Sequence, residues 1–277
     1  MGVNMKIQTG KCALCGREGK LTFEHIPPRA AFNSNRARPV GGKEIFKEEV
    51  LNDDNRMPWD TEGLKYENQQ QGMGRYSLCE ECNNNTGSWY GDSYVYFAKV
   101  INAAIHECDT SVGGVIGVKD IYPLRIIKQI ASMFCSVNDP YNSKLEELRS
   151  FVLEKNKRGL DKSKYKICLY LTKSTMQKQS GMMVLLKEQK GQFYSITLSE
   201  IVAYPFGFTL YFDPKEERDY LGVDITPFAD FSYDDCCELE MPWDFKEVNT
   251  FYPEDHRSKE EIVKHIEVVK QNKYDRE

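Results

Sequence analysis

The chain has 277 residues, of which 40% are hydrophobic and 29% charged, and a formal net charge of −5 at pH 7. This composition excludes a disordered, collagen-like or low-complexity chain, and the length suffices for one or two domains with a sizeable core. No apolar run reaches the ~18 residues that a membrane helix needs. The opening MGVNMKIQTG has no signal-peptide core, and Lys6 stands where a myristoylation signal requires Ser or Thr. Cytoplasmic residence with reduced thiols is therefore the expectation.

The mean charge conceals two opposite segments. Residues 1–47 carry nine Lys or Arg against three Glu, and residues 224–256 carry ten Asp or Glu against Lys246 alone. An acidic mean argues against a general nucleic-acid coat protein and leaves a localised site open.

Along the chain, the first third reads as loop-rich. A short alternating run from Lys20 to Glu24 stops at Pro27-Pro28, and residues 33–75, rich in Asn, Gly, Gln and Pro, read as a long irregular insertion. Tyr90, Tyr94, Phe97, Ile101 and Ile105 recur at helical spacing and predict a helix over about 88–108, with the aromatic stripe as core packing. The run SVGGVIGVKD (111–120) is the expected domain boundary. Pro123 opens a helix to about 137, and Asn142 or Ser143 caps another to about 155. Strand-like runs follow at 165–172, 182–188, 192–198 and 201–212, with Lys190-Gly191 as a hairpin turn, so an antiparallel sheet is expected. The acidic stretch 224–256 reads as loop with short elements, and 258–271 as a terminal helix. The fold class is α+β, divided into an N-terminal module, 1–110, and a second α+β domain, 111–277.

Of nine cysteines, four form two C-x-x-C pairs, Cys12/Cys15 and Cys79/Cys82. Each pair presents two thiolates from one turn, and four sulfurs satisfy tetrahedral Zn²⁺ at about 2.3 Å. A redox C-x-x-C is the competing reading, weakened by the presence of two pairs and the lack of a βαβ context. Structural zinc would staple a region too loop-rich to bury its own core.

Between the pairs lies Leu21-Thr-Phe-Glu24-His25-Ile-Pro-Pro-Arg29, and the second pair ends in Cys82-Asn83. C-x-x-C, then Glu-His-Ile-x-Pro, then Leu-Cys-x-x-Cys-Asn, in this order over about residues 10–90, resembles the zinc-stapled HNH (ββα-metal, His-Me finger) endonucleases. The Asn after the second pair is most similar to the phage recombination endonuclease VII branch. The resemblance implies a treble-clef nuclease module with structural zinc on Cys12, Cys15, Cys79 and Cys82. It implies His25 as general base and Glu24 and Asn83 as ligands of a catalytic Mg²⁺ or Mn²⁺, and a bend at the strand end would bring Glu24 and His25 to one cleft. These residue types suit phosphodiester hydrolysis: histidine deprotonates water near neutral pH, and hard oxygen ligands hold a hard cation. DNA is the implied substrate, with RNA open, and defence, restriction or a mobile element the implied setting.

Three features depart from or extend the pattern. Glu24 stands where Asp is commoner. The middle Asn of the motif has Asn52, Asn55 and Asn68 as candidates, and 53 residues separate His25 from Cys79, more than the family spacing. Arg29, with Arg36 and Arg38, is read as a phosphate contact against ordinary loop charge, and Arg75 similarly. The cations from Lys155 to Lys166 form either a second phosphate-tracking patch or a solvated helix end. His106, His256 and His265 are read as surface or satisfied core residues. The acidic stretch is read as a solubilising surface, with an autoinhibitory or partner-facing role as alternatives. A catalytically silent zinc-stapled nucleic-acid or protein-binding module, or an effector subunit activated through the second domain by a ligand or partner, is the rival to the nuclease. A regulatory partner or a homo-oligomer through the second domain is the expected association.

Overall fold

A computed structural model of the chain describes residues 8–53, 55–107, 114–189 and 191–274. Strands β1 (Thr9–Lys11) and β2 (Glu18–Lys20) form a small hairpin whose tip holds the first cysteine pair. Strand β3 (Thr22–His25) then pairs antiparallel with β4 (Gly74–Leu78), so the intervening residues form one long excursion. Among its described residues that excursion forms two single-turn helices, α1 (Gly42–Ile45) and α2 (Glu48–Leu51), in keeping with its aperiodic sequence. From β4 the chain enters α3 (Glu80–Thr86), a π-helical turn at Gly87–Gly91, and α4 (Asp92–Glu107). Tyr90, Tyr94, Phe97, Ile101 and Ile105 all point into the core.

Cys108 and the rest of 108–113 lie outside the described residues, so the first part of the expected boundary is not described. Its second part is not a linker. Residues Val115–Ile121 form β5, which pairs with β11 (Cys237–Pro242). The glycines suggested a linker, but Ile116, Val118 and Ile121 are buried while Val115 and Gly117 are exposed, a strand's alternation.

Helix α5 (Pro123–Val137) is the centre of the molecule. Every residue in it except Arg125 is buried, including the polar stripe of Lys128, Gln129, Ser132 and Ser136, so the helix is packed on all sides. On one side it meets β4, on another α6 (Glu146–Leu153), and on a third the main sheet. That sheet is antiparallel, in the order β10, β6, β9, β8, β7, built from β6 (Tyr165–Leu171), β7 (Lys178–Gln189), β8 (Gln192–Ala203), β9 (Phe206–Phe212) and β10 (Val223–Asp224). Ile167, Leu169, Ile201, Phe206, Phe208 and Leu210 share one core with α5 and with Cys12, Leu14 and Leu78 of the N-terminal part. A single apolar core therefore runs through both halves of the chain. Helix α7 (Lys259–Tyr274) closes the chain, started by a reciprocal cap in which Ser258 Oγ accepts from Glu261 N–H and Glu261 accepts from Ser258 N–H.

Part of the acidic stretch is paired. Asp224, Asp230 and Asp234 pair with Lys166, Lys162 and Arg125, while Lys164 pairs with Glu147 and Lys157 with Glu154. Lys157, Lys162, Lys164 and Lys166 are thus each paired locally with a carboxylate, which disfavours a phosphate-tracking patch there. Among the described residues, no helix is long and apolar enough to cross a membrane.

Candidate functional site

The four paired cysteines converge. Their Sγ atoms all lie within 4.8 Å of one another, and Cys15 and Cys79 stand 3.8 Å apart. A tetrahedron with 2.3 Å metal–sulfur bonds has edges of about 3.8 Å, so the sulfurs already form the cage that zinc requires. Local chemistry builds it. Gly16, at φ 72°, permits the knuckle that turns Cys15 back over Cys12. Cys79 is the residue before α3 and Cys82 lies in that helix's first turn, where the positive end of the helix favours thiolates. The cage also has an outer layer: Cys79 N–H donates to Cys12 Sγ at 3.4 Å, and Arg17 Nε donates to Cys15 Sγ at 3.3 Å while pairing with Glu81. Four cysteines so placed could bind a metal ion such as zinc.

The cage sits beside the β3–β4 hairpin, whose two faces separate the residues of the Glu-His pair. Phe23, Tyr76 and His25 share the outer face, with ring centroids 5.1 Å apart for Phe23–His25 and 5.4 Å for Phe23–Tyr76. His25 is half-buried, and its Nε2 lies 3.0 Å from the carbonyl of Gln71. A carbonyl only accepts, so Nε2 is the donor, and in the neutral ring this tautomer leaves the lone pair on Nδ1.

Glu24 faces the other way. It is 5% exposed, and its Oε2 accepts from Ser77 Oγ at 3.2 Å and from Ser136 Oγ of α5. Burial pushes its pKa up to about 7, with the two serine hydroxyls and Arg75 opposing that shift. The expected bend at the strand end is absent: His25 remains paired with Gly74, so the two-residue period of the strand holds Glu24 and His25 on opposite faces.

Asn83, in α3, donates its Nδ2 to Thr22 Oγ1 at 2.9 Å and to the carbonyl of Phe23 at 3.3 Å. Only its Oδ1 is left to offer a cation. The carboxylate expected to hold Mg²⁺ or Mn²⁺ is buried against Ser77 and Ser136, on the face opposite His25, so it does not fit a catalytic cation beside that histidine in this arrangement. Arg29 is exposed just beyond the proline stop. Arg75 is not a surface cation: its guanidinium donates to the carbonyl of Val137 and to Gln179, tying the hairpin to α5 and β7.

The sequence reading missed one polar residue here. Asn33, 2% exposed, donates Nδ2 to the carbonyls of Pro27 and Met73, both at 2.7 Å, and its Oδ1 accepts from Met73 N–H at 2.7 Å. It clamps the exit of β3 to the return into β4 and so fixes the segment that carries His25 and Gln71. Gly72 is packed so closely against this clamp that a Cβ there would fall 1.9 Å from the carbonyl oxygen of Asn33. Of the earlier candidates for the middle Asn, Asn68 accepts from Arg36 far along the excursion, and Asn52 and Asn55 sit at the exposed end of α2 and in the turn beyond it. Family models, curated proteins and solved structures were compared with this chain, and none matches it.

Proposed function

We propose that this chain is an HNH-type endonuclease of the zinc-stapled treble-clef form, hydrolysing phosphodiester bonds in DNA, with His25 as the base that activates water. One observation carries the reading. A knuckle, a two-stranded hairpin and a helix follow one another around four convergent thiols, and β3 ends in a half-buried histidine whose Nδ1, in the neutral ring, is the base nitrogen. The Gln71 carbonyl orients the ring and fixes its tautomer, so the proton taken from water would arrive at Nδ1. Arg29, exposed four residues on, is the proposed phosphate contact. Phosphodiester hydrolysis of this class also calls for Mg²⁺ or Mn²⁺ to offset developing charge at the phosphate. Because Glu24 is turned inward, the role assigned to the chain itself is the base alone.

The test is cleavage of plasmid and of single-stranded circular DNA by the full chain with Mg²⁺ or Mn²⁺, set against His25→Ala. The wild type should cut, and the variant should lose about 100-fold or more of the rate while keeping its zinc and its circular dichroism spectrum. Cleavage that survives the substitution would sink the mechanism. The inward carboxylate of Glu24 specifically favours a second reading, a zinc-stapled binding module without catalysis. A wild type that binds DNA and cuts with neither metal would establish that reading instead.

A further inference from the structure

A groove of about 1860 Å³ opens along the hairpin, and nothing in the reading above assigns it. One wall is the long excursion between β3 and β4. The other is the segment from Lys173 into the start of β7, with Tyr204 and His106 beside it. Its floor includes Met73 to Tyr76 of β4, the strand paired with the one that carries His25. Tyr76 belongs both to the groove and to the ring cluster of Phe23 and His25, so the groove borders the cluster that holds the candidate base.

The lining is unusual for a surface. Phe32, Phe46, Tyr66 and Tyr76 are 37%, 47%, 48% and 46% exposed, although rings of this size are ordinarily covered. Cations stand among them: Arg38 lies over the Tyr66 ring at 5.1 Å, and Arg36 donates to Asn68 at 3.1 Å. The rings of Phe32 and Tyr204, 5.7 Å apart, bring the two walls into contact.

We infer that this groove binds an unpaired nucleic-acid strand, its bases stacked on the exposed rings and its phosphates met by Arg36 and Arg38. The inference rests on the nuclease reading and narrows its substrate to DNA with single-stranded or flapped segments. Two physical points select this occupant. Exposed aromatic faces interact with bases only when the bases are unstacked, because in a duplex each base face is covered by its neighbour. A duplex binder depends on many phosphate contacts, whereas this chain is acidic on average and the groove's exposed cations are few and interleaved with rings.

The experiment is fluorescence anisotropy with the full-length His25→Ala chain, which leaves DNA intact, at one fixed salt concentration. The probes are a labelled 20-nucleotide single strand, the matched blunt duplex, and the duplex with a single-stranded flap. Single strand and flap should bind about tenfold or more tighter than blunt duplex. Adding Phe46→Ala and Tyr66→Ala together should weaken single-strand binding about tenfold or more and leave the weak duplex binding unchanged. Both rings are half-exposed, and an unchanged melting temperature separates loss of stacking from loss of fold; Phe46→Leu with Tyr66→Leu, which keeps bulk without a π-face, should weaken binding equally. Equal affinity for duplex, or no effect of either double variant, overturns the inference. Wild-type cleavage with no single-strand preference removes only the groove assignment. Single-strand preference with no cleavage removes only the nuclease.

Discussion

Asn33 satisfies three backbone groups with one side chain in a site closed to water. Asn33→Ala should lower stability by about 2–4 kcal/mol, because the carbonyls of Pro27 and Met73 and the N–H of Met73 lose their partner together. Asn33→Asp should be no better, since a carboxylate has no N–H to give two carbonyls. Urea denaturation checks both, and a loss below about 0.5 kcal/mol would refute the clamp. The sequence pointed to His25 and to the cysteines because their chemistry is written in local spacing. It could not point to Asn33, because no periodicity in an aperiodic loop says which amide returns to the strand it left. The opposite facing of Glu24 and His25 was legible in the period of two, and the expectation of a bend set that period aside.

Among the elements, α5 shows how burial and composition agree and where they part. Its sequence reads correctly as a helix opened by Pro123, and the two helices and the strand runs expected at 165–172, 182–188 and 192–198 begin within a few residues of their expected places. The run 201–212 is instead split, its first three residues ending β8 and β9 beginning at Phe206 after a turn. Lys128 breaks the pattern: it is fully buried and donates to the carbonyls of Phe151 and Glu154 at the end of α6. Burial lowers its pKa to about 7. The unfolded chain, with an ordinary lysine, then binds more protons between about pH 7 and 10.5, so this residue's contribution makes stability rise with pH across that window. Wild type should gain about 1–2 kcal/mol between pH 7 and 9 relative to Lys128→Met, whose own cost is the loss of both bonds. Urea midpoints of the two proteins at both pH values read this directly, and parallel pH profiles would exclude the assignment.

At the scale of the whole molecule, the two expected domains share one core and are stitched at their joint. Arg149 of α6 donates to the carbonyl of Ala13 in the knuckle, Ser136 of α5 to Glu24, and Gln179 of β7 to the carbonyl of Ile26. Stripping a metal ion from the four-cysteine site should therefore loosen more than the knuckle. A chelator should lower the melting temperature by ~10 °C or more while the chain still unfolds in one transition. Calorimetry that resolves a separate, early transition would show the N-terminal part to be independent. This integration was not legible in the sequence. A glycine-rich run resembles a linker whether or not its alternate residues find a partner strand 120 residues away, and that pairing is decided by packing rather than by local composition.

The clamp at Asn33 and Met73 brings the two ends of the excursion together, and Ala37 and Gln69 pair just beyond it. A loop closed at its neck is topologically a cartridge. Lengthening it costs only about 0.6 kcal/mol per doubling, and changes beyond the neck need not be felt by the hairpin that carries His25. Selection could then rewrite the excursion without disturbing the hairpin at its base, which leaves this part of the chain open to diversification.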